Sequence, residues 1–118
     1  MEDIIRKIIA GLNMCEKEQL RREGCTNSCF FDGEELTKEY TFNLLEKQKY
    51  FYINLGTCGV FMVLKADGEI YNIKAYGTPD LNKKLKANLG NIKDYIVFDN
   101  MRIEKIRYLH SKQYNYLR

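Results

Sequence analysis

With 118 residues, 45% hydrophobic and 13% aromatic, the chain is long enough to bury one core and too apolar to be disordered. A domain of this size folds without a disulfide or metal, so either must be argued from residue spacing. The net charge of +3 is unevenly spread: residues 1–60 are slightly acidic, and residues 61–118 carry nearly twice as many basic as acidic side chains. That asymmetry points to an anionic partner for the second half. Part of the lysine excess is codon bias, because Asn, Ile and Tyr are abundant too.

The start Met1-Glu2-Asp3 is acidic, and the longest apolar run, Val60 to Leu64, falls far short of a bilayer span. The expectation is a cytoplasmic protein without membrane attachment, its four cysteines reduced.

Ile4, Ile5, Ile8, Ile9 and Leu12 recur at helical spacing and predict a helix over about residues 2–22. Glu2 with Arg6 and Asp3 with Lys7 are i,i+4 pairs in the favourable order. Gly11 is expected to break or kink that helix. Residues 23–33 are rich in turn formers, and Asp32 sits three before Glu35 like a capping box. Leu36, Tyr40 and Leu44 then predict a second helix near 34–47.

Tyr50 to Leu55 alternates with period two and predicts a strand. Gly56 to Gly59 reads as a turn, and Val60 to Lys65, apolar on both faces, as a central strand. Asp67-Gly68 marks a hairpin returning along Glu69 to Tyr76. Thr78, Pro79 and Asp80 have the chemistry of a helix start, Leu81, Leu85 and Leu89 form a seam, and Gly90 is placed to end the helix. Tyr95 to Phe98 predicts a short fourth strand. From Met101, the residues Ile103, Ile106, Leu109 and Leu117 predict a terminal helix, with a hairpin across Asp99-Asn100 as the alternative. The expected fold is a single α+β domain over 1–118: a small antiparallel sheet of three consecutive strands plus a fourth, packed with three to four helices.

Cys15, Cys25, Cys29 and Cys58 are enough thiolates for a tetrahedral zinc, but their spacing is irregular and no C-x-x-C is present, so buried or incidental thiols are the favoured reading. No cofactor is expected. His110, the one histidine, falls on the apolar arc of the last helix and reads as packed. Asp67, Glu69 and Asp80 have turn and helix-start explanations, and no phosphate-loop, nucleophile-elbow or metalloprotease pattern occurs, so enzyme activity is not expected.

Lys83, Lys84 and Lys86 project opposite the leucine seam and present point charges suited to phosphates. The last segment adds Arg102, Lys105, Arg107, Lys112 and Arg118, which flank its apolar arc on both sides. Tyr50, Tyr52 and Asn54 share one strand face and Asn72, Lys74 and Tyr76 another; if these coincide they make a base-stacking surface, unless a covering helix buries the apolar Val60, Met62 and Leu64 between them.

The leading expectation is a non-enzymatic module binding nucleic acid or a phosphate-bearing nucleotide through Lys74, Lys83, Lys84, Lys86, Arg107, Tyr52 and Tyr76. The alternative is an interaction protein of phage or mobile-element type that inhibits or regulates a protein partner such as a host defence nuclease.

Overall fold

A computed structural model describes residues 1–75, 78–79, 88–98 and 100–112, with the side chains of 74, 75, 78, 79 and 88 left aside. The expected first helix, α1 (Glu2–Arg22), forms because one face of it is apolar: Ile5, Ile8, Leu12 and Cys15 are buried along its length. Arg6 donates to Glu2 at 3.4 Å, as the i,i+4 spacing predicts. Gly11 does not break α1, which runs through it without interruption. A Cβ there would lie 2.9 Å from Met101 Sδ and 3.0 Å from Ile106 Cγ2, so the missing side chain makes room for the close approach of the chain's last helix.

The expected helix at 34–47 does not form. After a small hairpin of β1 (Phe31–Asp32) and β2 (Glu35–Leu36), the chain makes a 3₁₀ turn at Lys38–Tyr40 and enters strand β3 (Phe42–Glu46). The i,i+4 spacing of Leu36, Tyr40 and Leu44 competes with alternation in Phe42 to Leu45, and alternation wins because both faces of this strand find apolar cover. Phe42 and Leu44 join the main core, while Leu45 packs on the other side of the sheet.

The central sheet is antiparallel in the order β3-β4-β5-β6-β7, with β8 also pairing β6. Its three middle strands, β4 (Tyr50–Leu55), β5 (Cys58–Leu64) and β6 (Glu69–Ala75), match the three expected strands, except that β5 begins at Cys58, inside the expected turn of Gly56 to Gly59. Gly56, at φ +61°, turns β4 into β5 in a conformation that suits glycine, and a Cβ there would lie 2.8 Å from the Glu39 carbonyl oxygen.

The expected helix over 79–89 is contradicted at both ends. Thr78–Pro79 is strand β7, paired with Ile73 and Ala75, and Asn88–Asn91 is strand β8, paired with Glu69 and Tyr71. Thr78 and Gly90 therefore lie within strands instead of capping a helix, because β6 offers one free edge that both short strands use. The intervening residues, Lys83, Lys84 and Lys86 among them, lie outside the described ones.

A 3₁₀ turn at Ile92–Tyr95 follows, then the small hairpin β9 (Ile96–Val97) and β10 (Asn100–Met101), then helix α2 (Ile103–Lys112). Hairpin and helix, weighed as alternatives in the sequence, occur in succession. The architecture is α+β, but the described residues hold two α-helices, not three to four, and more strand than expected. α1, α2 and the Ile92–Tyr95 turn contribute with Phe51, Ile53, Phe61, Val63 and Ile70 to one core. Tyr52, Met62 and Ile73 form a second buried cluster. No helix among the described residues is long and apolar enough to cross a membrane.

Candidate nucleic-acid interface

Helix α2 is built as an amphipathic element. Ile106, Leu109 and His110 are buried, and Ile103 is half-buried beside them. Glu104 in the first turn and Lys112 in the last suit the helix dipole. Of the remaining positions, Glu104, Lys105, Arg107, Tyr108 and Ser111 are exposed and Lys112 is half-buried. Lys105, Tyr108 and Lys112 stand three and four residues apart and so follow one another up the outer face. Tyr108 is 47% exposed, with the Lys112 ammonium 5.1 Å from its ring centroid. Among the described residues no carboxylate pairs with Lys105 or Lys112. The strip thus presents two ammonium groups around an accessible aromatic ring, with Glu104 as its one acidic neighbour on the face.

Arg107 lies at the edge of α2 towards α1. It is exposed, and its Nη2 is 3.7 Å from Glu18 Oε2. An exposed pair at that distance is weak and leaves the guanidinium open to a stronger anion.

The opposite side of α2 carries a buried polar cluster. His110 Nε2 lies 3.5 Å from Glu16 Oε2, both side chains almost fully enclosed, and the imidazole meets the Phe42 ring edge-on at 6.1 Å between centroids. Next to Glu16 in the chain, the Cys15 thiol is pushed up from its ordinary pKa, first by burial and then by the charge of Glu18. A thiol held protonated is a poor nucleophile, and the imidazole already faces a carboxylate. The cluster joins α1 to α2.

The sheet does not assemble the expected tyrosine–amide–lysine face. The register pairs Tyr52 with Met62 and Met62 with Tyr71, so Tyr52 shares its face with Tyr71 and Ile73, not with Asn72. Tyr52 is also only 5% exposed, which removes it from the surface. Asn72 lies opposite Phe61, on the helix-covered side, where its Oδ1 is buried without a hydrogen bond. Lys74 belongs to β6, but its side chain lies outside the described residues, as does Tyr76.

The four cysteines are free and do not converge: Cys15 is buried in α1, Cys25 is half-buried, and Cys29 and Cys58 are exposed. Among the described residues no three His, Cys, Asp or Glu side chains gather as a metal site.

Two residues were missed in the sequence. Tyr108 sits between Lys105 and Lys112 at helical spacing, a signal available from the wheel. Phe98, 94% exposed at the tip of the β9–β10 hairpin, gave no signal beyond its place beside Asp99-Asn100. Compared with protein-family models, with curated proteins and with solved structures, the chain matches none.

Proposed function

We propose that this chain is a non-enzymatic binding module for nucleic acid or a phosphate-bearing nucleotide, engaged by the outer face of α2. The observation that carries the reading is the Lys105–Tyr108–Lys112 strip, two ammonium groups without a carboxylate partner among the described residues, bracketing an accessible ring. Phosphates meet the lysines, and the ring offers a stacking surface that tolerates any base. Arg107 extends the strip towards α1, exchanging its weak contact with Glu18 for a phosphate. Lys74, Lys83, Lys84, Lys86 and Tyr76 remain contacts proposed from the sequence alone.

Fluorescence anisotropy of a labelled oligonucleotide tests this directly. Binding is expected at low salt, with the logarithm of the association constant falling linearly as the logarithm of salt rises. No binding at low ionic strength would end the reading.

A second reading rests on the acidic first half. Asp32, Glu34 and Glu35 are exposed at the β1–β2 hairpin, and such carboxylates resemble a phosphate run to a nucleic-acid-binding protein. An inhibitor of that kind would bind a nuclease through Asp32 and Glu34, and charge reversal there would abolish the inhibition while leaving oligonucleotide binding untouched.

A further inference from the structure

Phe98 combines two unfavourable conditions. It is the one described residue other than glycine with positive φ, at +50°, and its side chain is 94% exposed. A bulky residue in left-handed backbone is strained, and a bare phenyl ring in water gains nothing from burial. Nothing within the described fold offsets either cost at this position. Strain of this sort concentrates where a residue is held ready for a partner.

The ring stands on a firm base. Tyr95 is buried and its hydroxyl donates to the Leu89 carbonyl oxygen at 2.6 Å. The Asn91 and Asp94 side chains cap the preceding turn reciprocally, and Asn91 Nδ2 donates to the Asp67 carbonyl at 2.6 Å. The Arg102 amide donates to the Tyr95 carbonyl at 2.8 Å and closes the foot of the β9–β10 hairpin. The hairpin is therefore fixed to the core at its foot and presents Val97 and Phe98 to solvent.

The foot also carries two cations, beside the exposed carboxylate of Asp94. Arg102 is exposed, its Nη1 3.5 Å from the Asp94 carbonyl oxygen, which places the guanidinium beside the turn that carries exposed Lys93. Neither cation pairs with a carboxylate among the described residues. A ligand that suits this arrangement alternates negative charge with flat rings. In a duplex the bases already stack on one another, so a single protruding ring finds a free base face only in an unpaired strand.

We propose that Phe98 stacks on an unpaired base of single-stranded nucleic acid, with Lys93 and Arg102 holding the adjoining phosphates. This rests on the nucleic-acid reading of α2 and narrows it to single strands.

The chain contains no tryptophan, so Phe98→Trp installs a sole indole reporter at the tip. Oligothymidylate and a mixed-sequence duplex are titrated into it, with anisotropy of the labelled nucleic acid followed in parallel. The expected result is strong quenching of the indole by oligothymidylate and little by duplex. Phe98→Ala is expected to weaken single-strand binding roughly tenfold, the effect of losing one stacked base, and duplex binding less than twofold. Oligothymidylate that binds by anisotropy without quenching, and binds Phe98→Ala as tightly as the natural protein, overturns the stacking role and leaves the α2 reading standing. Absence of any binding overturns both. A blue shift with anionic vesicles but no response to oligothymidylate also overturns the proposal, in favour of insertion into lipid.

Discussion

Gly56 shows how much a single missing methyl group decides. Left-handed backbone costs a side-chain-bearing residue about 1–2 kcal/mol, and at Gly56 a Cβ would also press on the Glu39 carbonyl oxygen, an atom of the main chain that moves only with its whole turn. Gly24, at φ +75° with nothing within 4 Å of its Cβ position, carries the backbone cost alone. Gly24→Ala is therefore expected to lose about 1 kcal/mol in urea unfolding, and Gly56→Ala clearly more. Equal losses would mean that the Glu39 contact is relieved freely. Burial also shifts three described acids upwards, Cys15 from an ordinary 9.0 and Tyr71 and Tyr95 from an ordinary 10.0. Their stabilising contribution is fully present below those values and is lost as pH rises from about 9 towards the folded-state pKa values, because the unfolded chain ionises first. The melting temperature is expected to fall from about pH 9 upwards. Tyr95→Phe should flatten the part of that fall above pH 10, and at neutral pH cost about 1 kcal/mol through the lost bond to Leu89.

The middle strands were legible in the sequence because their alternation and turn residues act locally, and α1 because its apolar face repeats over many turns. β3 was not, since Leu36, Tyr40 and Leu44 fit helical spacing equally well; only β4, pairing Phe42 with Leu55 and Glu46 with Phe51, decides for the strand. A helix side chain then locks it. Asn13 donates from Nδ2 to the Phe42 carbonyl at 3.2 Å and accepts from the Phe42 amide at 2.6 Å, imitating a strand neighbour. That contact spans 29 positions and leaves no local trace. Asn13→Ala orphans both main-chain groups of Phe42 and is expected to cost about 2 kcal/mol. Hydrogen exchange is the sharper check: the Phe42 amide should lose protection well beyond that overall destabilisation. The helix-start chemistry of Thr78 and Pro79 misled for the same reason as β3, because the free edge of β6 recruits both segments into the sheet. Of the site, the basic second half was readable from composition. The strip around Tyr108 needed the helix ends, and the exposure of Phe98 needed the hairpin.

The molecule divides its labour between two surfaces of one scaffold. α1 and the inner side of α2 bury Ile8, Leu12, Ile106 and Leu109 against the sheet and enclose the Glu16–His110 pair. The outer side of α2 is then free to display charge without harming the core. This separation makes the central claim testable by substitution, since Lys105 is exposed and the half-buried Lys112 stands against the exposed Tyr108 ring, outside both buried clusters. The double variant Lys105→Glu/Lys112→Glu should melt within about 2 °C of the natural protein, as surface changes of this kind usually do. Its affinity for a labelled single-stranded oligonucleotide should fall at least tenfold at low salt, and the salt dependence should become shallower by about two phosphates' worth. A double variant that folds normally and binds the oligonucleotide with unchanged affinity and unchanged salt dependence would contradict the account.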